Sequence, residues 1–274
     1  MTVRFRALAA TLLVAAAVTA CSGERTGFGG AAAPAAEQVP TTATTPAAVA
    51  ATATNPLMAD VSLPRAGCAL PQWSRFEEGV REWFATALEC LDRSWEPVLR
   101  KLKLPWATPK FEISVEVTSS DCDVPHENSF HCAGSIHIVP KSYLSTRTGP
   151  DGQPAVAFAM LAHEYAHHVQ WLSGTSTAAQ RERKDAGRDT PAGLEVSRRL
   201  ELQAQCLSGM YLAATVDPTT LALAAEDNRN RGDYAGRDRD HGTPENSGAW
   251  FVRGAERNLL SACNTWMAAP DAVA

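Results

Sequence analysis

Residues 161–170 read Leu161-Ala162-His163-Glu164-Tyr165-Ala166-His167-His168-Val169-Gln170. Two histidines four positions apart on a helix project from one face, one turn above the other. That spacing lets two imidazoles reach a single zinc ion at about 2.0–2.1 Å. Glu164 is turned from His163 by about 100°, which sets it beside such an ion, where a carboxylate can take a proton from a metal-activated water. The neighbours Val156, Phe158, Ala159, Met160, Leu161, Ala162, Val169 and Trp171 are apolar or aromatic, so the spacing predicts a buried helix over 155–172. Unpaired polar side chains are costly in such a place, and a bound cation removes the cost. His168 stands one step off the ligand face and reads as a supporting or packing residue.

A catalytic zinc takes a third protein ligand and keeps one position open. Thr190-Pro191 is a helix start, with threonine as N-cap and proline at the first helical position, and predicts a helix over 191–215. Within it Glu201 is surrounded by Leu200, Leu202, Ala204, Cys206, Leu207 and Met210. A lone carboxylate there is expensive unless paired or metal-bound. From spacing alone, Glu201 is a candidate ligand; a salt bridge to Arg198, or Glu195 as the ligand, are the alternatives.

Outward from these helices the pattern is mixed. Ser74 followed by Glu77 has the form of a capping box. It opens a helix whose apolar residues run at helical spacing from Phe76 to Trp95, to be kinked or split at Pro97 and stopped by Pro105. Residues 111–117 alternate with period two and predict a strand, and 135–139 predict a second. Helical patterns return at 218–230 and 245–264. A small sheet followed by helices is an α+β arrangement.

The first 66 residues are of another kind. Arg4 and Arg6, then the apolar run from Ala7 to Val18, then small residues before Cys21, are the parts of an export signal over 1–20. The run is too short to span a bilayer as a permanent helix. Val18-Thr19-Ala20-Cys21 resembles a bacterial lipobox, which implies cleavage before Cys21 and acylation of its sulfur. An ordinary signal peptide cut near Ala20 is the other reading. Residues 21–66 are rich in Ala, Thr, Pro and Gly and predict an extended, disordered tether, with one folded domain over 67–274. Seven cysteines in 274 residues fit an oxidising compartment. The net charge of −5 and the lack of a basic block argue against nucleic acid as a partner.

His163-Glu164-Tyr165-Ala166-His167-His168-Val169-Gln170 together with Glu201-Leu202-Gln203-Ala204-Gln205-Cys206 resembles the bacterial neutral zinc metallopeptidase family, a thermolysin-like, zincin-type group. The resemblance implies Zn2+ held by His163, His167 and Glu201, with Glu164 as general base and a peptide or protein substrate. Phe130 to Ile138 resembles the family's segment leading into the edge strand of the active site. His241-Gly242-Thr243 resembles its C-terminal motif, which implies that His241 steadies an oxyanion. Gln205 stands where the family usually has aspartate, one turn after Glu201. An aspartate there would accept a hydrogen bond from a ligand histidine, so the change bears on catalytic vigour and favours, as the alternative, a zinc-binding but weakly active domain. With Cys21 set aside, proximity and the resemblance imply a Cys122–Cys132 disulfide. The resemblance also implies Cys206–Cys263, which leaves Cys68–Cys90. The expected location is the outer face of the cell membrane, held by lipid on Cys21.

Overall fold

The computed structural model describes residues 47–74, 76–113, 129–139, 149–234 and 239–274, with the backbone alone for 149–152. The export signal, Cys21 and Cys122 lie outside the described residues, as does the tether up to residue 46. The elements are α1 (Glu77–Lys101), β1 (Lys110–Ile113), β2 (Phe130–Cys132), β3 (Ser135–Ile138), α2 (Gly149–Ser173), α3 (Thr175–Ala186), α4 (Pro191–Thr215), α5 (Pro218–Asn228) and α6 (Pro244–Arg257). The fold is α+β, mostly helical with a small sheet.

Helix α2 lies at the centre because it is apolar on nearly every side. Ala157, Leu161, Tyr165, Ala166 and Val169 are all completely buried. A chain of edge-to-face rings joins it to its neighbours: Trp83 of α1 meets Phe158 of α2 at 5.6 Å, and Phe158 meets Tyr211 of α4 at 5.5 Å. Such pairs contribute about 0.5–1.5 kcal/mol each beyond area burial. The Tyr165 hydroxyl donates to Asp92 Oδ1 at 2.6 Å, which pins α2 to α1 on the side away from His163 and His167. Pro97 sits inside α1 without ending it. Nor does Ser74 cap that helix: its Oγ accepts from the Phe76 N–H at 3.1 Å, closing a turn just before the first helical residue.

Thr190 caps α4 by accepting from the Gly193 N–H. Helices α4 and α6 touch backbone to backbone. A Cβ on Gly209 would lie 2.0 Å from the Phe251 carbonyl oxygen, and one on Gly254 would lie 1.9 Å from that of Cys206. Disulfides join Cys206 to Cys263 and Cys68 to Cys90. Cys132 is also disulfide-bonded.

Among the described residues the sheet has three strands in the order β1-β3-β2, with β1 parallel and β2 antiparallel to β3. The segment expected to lead into an edge strand forms an edge itself, as β2, and β3 is central. Ala133 and Gly134, both at positive φ, make the two-residue turn between them, the conformation that matches strand twist in a hairpin. Residues 114–117 of the expected first strand lie outside the described residues.

The expected boundary at residue 67 is too late. Leu57 is fully buried, and Leu63 and Val61 nearly so. Asn55 Oδ1 accepts from the Leu57 N–H at 2.9 Å, while its Nδ2 donates to the carbonyls of Val49 and Ser173. The Leu260 N–H donates to the Val61 carbonyl. A strap from Val49 to Leu63 therefore belongs to the folded body. Its few large side chains are hidden in an Ala/Thr/Pro-rich background, where average composition outweighs three well-placed anchors. In a chain starting at Ala47, Leu57→Ala should reduce unfolding free energy by about 2–5 kcal/mol, measured by denaturant titration. A chain starting at Gly67 should unfold at a lower denaturant midpoint than one starting at Ala47.

Candidate metal centre and cleft

The i, i+4 spacing on α2 brings His163 and His167 Nε2 to 3.1 Å from each other. The packing of α4 on α2 then delivers Glu201 Oε2 to 3.1 Å from His167 Nε2 and 3.4 Å from His163 Nε2. Ligands of a tetrahedral zinc at 2.0–2.1 Å are separated by about 3.3–3.4 Å, so the donor triangle has the size of a zinc site's face. Two imidazole lone pairs and a carboxylate oxygen in so small a space repel unless a proton or a cation lies between them. The residues fit zinc by atom type, separation and count.

The electrostatics follow from burial and this crowding. Without a cation, desolvation lowers His163 to about 4. For His167 burial acts in the same sense, but the Glu201 carboxylate outweighs it and raises the imidazole to about 9. Burial would raise Glu201, yet His167, His241 and His163 together hold it well below the usual carboxylate range. Glu164 is 5 % exposed, and desolvation pushes it up to about 7. It lines the same cleft as the triad.

Glu195, the alternative ligand, is elsewhere: it forms an ion pair with Arg199 at 2.7 Å. Arg198 instead donates to the carbonyls of Val273 and Arg239. His168 is not in the triad. Its Nε2–H donates to the Ala107 carbonyl at 2.7 Å, which leaves Nδ1 to accept from His131 Nε2–H at 3.3 Å. Burial lowers both, His168 to about 4 and His131 to about 2, so this pair is neutral.

His241 reaches the centre from the loop before α6, its Nε2 3.9 Å from Glu201 Oε2. Its Nδ1–H donates to Asp240 at 2.7 Å, and the loop is tied by Asp233 Oδ2, which accepts from the N–H groups of His241 and Gly242. The Glu201 and Asp240 carboxylates raise His241 to about 10. Gln205 makes no bond to a ligand histidine: its Oε1 and His163 Nδ1 are each buried without a hydrogen-bond partner.

The cleft is a cavity of about 490 Å3 in front of the triad, walled by Phe130 and His131 of β2, Trp171 of α2, Ser176 and Gln180 of α3, and His241. Sequence reasoning reached Phe130, His131 and His241 through the family resemblance but missed Trp171, Ser176 and Gln180. Trp171 could have been found, since it follows His167 by four positions and shares its face. Helix α3 escaped notice because it buries only Thr175, Ala178 and Ala179, too weak an apolar stripe to register.

A helix pair that presents two imidazoles and a carboxylate to one point, with a buried second glutamate beside them, is the frame of a zinc hydrolase. The family described as "Putative neutral zinc metallopeptidase" matches residues 72–266, and the chain belongs to that family. It is 25% identical to "Uncharacterized protein YpfJ" of Escherichia coli K12, over 69% of this chain and 72% of the relative. It is 32% identical to "Uncharacterized protein Rv2575" of Mycobacterium tuberculosis, over 46% of this chain and 49% of the relative. No solved structure matches the chain. Membership implies zinc, and wild-type protein should carry it stoichiometrically. Glu201→Ala should weaken zinc binding by more than about 100-fold, beyond the range of outer-shell changes, in competition titrations against a chromogenic chelator.

Proposed function

We propose that this chain is an extracytoplasmic zinc metallopeptidase, anchored through lipid on Cys21 to the outer face of the bacterial cell membrane, and that it hydrolyses peptide bonds. The observation that carries the reading is Glu164, buried and raised to about 7 beside the convergent donors of His163, His167 and Glu201. Membership of a metallopeptidase family supports the hydrolase, and the oxidised cysteines support a site outside the cytoplasm. No described helix is long and apolar enough to cross a membrane, so the anchoring rests on the lipobox-like sequence.

When bound, zinc would polarise the scissile carbonyl and acidify a water. Glu164 would take the proton of that water and return it to the leaving amine, a task for a carboxylate held in the cleft beside the metal's donors. His241 Nε2–H faces the triad and donates to the oxyanion as charge develops, its ring held by Asp240. The neutral wall of Phe130, His131 and Trp171 receives substrate side chains without adding charge. Strand β2, an edge among the described residues, runs along that wall where an extended peptide can lie beside it.

A second reading, a zinc-bearing but weakly active domain with a binding or scaffolding role, is favoured by the unpaired His163 Nδ1 and Gln205 Oε1. An unpaired ligand histidine is a poorer donor and is less firmly oriented. One experiment separates the two. Peptide hydrolysis by wild type should fall about 100–10,000-fold in Glu164→Gln, the usual weight of acid–base catalysis, with zinc content unchanged. Equal rates in wild type, Glu164→Gln and chelator-treated protein would remove the peptidase reading and leave the scaffold.

A further inference from the structure

The two ligand histidines of α2 are supported unequally. His163 Nδ1 has no partner, whereas His167 Nδ1 lies 2.8 Å from Gln170 Oε1. Behind Gln170 the contacts continue through a completely buried pair of amides. Gln170 Nε2 donates to the Leu200 carbonyl and to Gln203 Oε1, both at 2.9 Å. Gln203 Nε2 donates in turn to the Cys263 carbonyl at 3.4 Å and to Met58 Sδ at 3.3 Å. Both glutamines have no exposed surface, so bulk water does not compete for these partners.

The direction of this chain is forced from its far end. The Cys263 carbonyl and the Met58 thioether can only accept, so they take the amide nitrogen of Gln203 and turn its oxygen toward Gln170. That oxygen and the Leu200 carbonyl both need donors, so Gln170 must present its nitrogen to them and its oxygen to His167. An oxygen can only accept, so His167 Nδ1 carries a proton and Nε2 is the atom left to ligate. Every N–H of both amides is used, and neither glutamine can flip without setting carbonyl oxygen against carbonyl oxygen. Cys263 is itself fixed to α4 by its disulfide with Cys206.

The geometry points to Gln170 and Gln203 as positioning residues for the metal: a buried two-amide relay that sets the tautomer and ring orientation of His167 from the backbone carbonyls of Leu200 and Cys263. The inference rests on the zinc reading above and adds to it a residue, Gln203, that touches no ligand. It makes His167 the pre-set ligand of the pair. Gln170 follows His167 by three positions on the same helical face, and Gln203 follows Leu200 by three, so the two faces meet where α2 and α4 pack.

The test is zinc affinity, measured by chelator competition on the full folded domain, with the melting temperature of the metal-free protein recorded alongside. Gln170→Leu removes the acceptor and should weaken zinc binding by about 10–100-fold. Gln203→Leu leaves the Gln170 amide held by the Leu200 carbonyl alone and should weaken it several-fold, though it contacts neither metal nor histidine. The double variant should bind no worse than Gln170→Leu alone, because both changes cut one chain. Gln170→Glu keeps an acceptor at Nδ1 and should hold zinc as tightly as wild type. Its penalty falls on melting temperature instead, since Leu200 and Gln203 lose their donor.

Wild-type zinc affinity in both leucine variants, with only the melting temperatures lowered, would reduce the glutamines to ordinary packing and overturn the inference. So would losses that add independently, or a Gln170→Glu variant as weak as Gln170→Leu. A wild-type protein that binds no zinc would instead overturn the metal centre itself.

Discussion

Glu201 reaches His163 and His167 because α4 packs on α2 at close quarters. Three groups that would rather be fully hydrated are thereby pressed within 3.4 Å of one another, half-buried at the back of a cleft. The aromatic chain through Phe158 and the Tyr165–Asp92 bond hold α2 from behind, so the histidines cannot retreat. Relief comes by charge: a proton shared with Glu201 in the metal-free protein, a divalent cation in the loaded one. Burial thus acts on the site twice, raising Glu164 toward neutrality and making the triad's donors costly to leave without a shared proton or cation.

Much of this is legible in the amino-acid sequence. The i, i+4 histidines have one geometric meaning on a buried helix. Thr190-Pro191 starts α4 where the cap and the proline ring require, and the leucines around Glu201 mark it as a candidate ligand, though they leave Glu195 open beside it. Those signals are local, carried by backbone periodicity and by the cost of burying charge. What is not legible depends on tertiary partners. Leu57, Val61 and Leu63 follow no period, because a strap fits the grooves it crosses instead of presenting a face of its own. Helix α3 buries only small residues. Pro97 should interrupt α1 by the rule for prolines, yet the helix continues through it; burial of Trp95, Val98 and Leu99 around it outweighs the lost backbone bond.

The cleft shows how neutrality can be built from titratable residues. His131 and His168 form a chain that begins at the Ala107 carbonyl, so each ring is confined to one tautomer and burial keeps both uncharged. His241, on the same cleft, is drawn toward its charged form by Glu201 first and then by Asp240 and Asp233. The cleft therefore joins an uncharged pair of histidines to one that Glu201 and Asp240 draw toward the cation. The same residue type serves three ends here, set apart only by which atom each ring is offered.

The glycines at the α4–α6 crossing bear on how this chain can vary. Where side chains separate two helices, a larger residue on one can be met by a smaller one on the other, and the gap drifts as sequences diverge. Gly209 and Gly254 leave no side chain to trade: main-chain atoms already meet, and even a methyl group has nowhere to go. The spacing of this pair is therefore set by hard contact, and the carbonyl of Cys263 is held at the same depth whatever happens to the surrounding leucines. In this chain the cleft's outer wall can be remodelled by substitution while this inner joint keeps its dimensions.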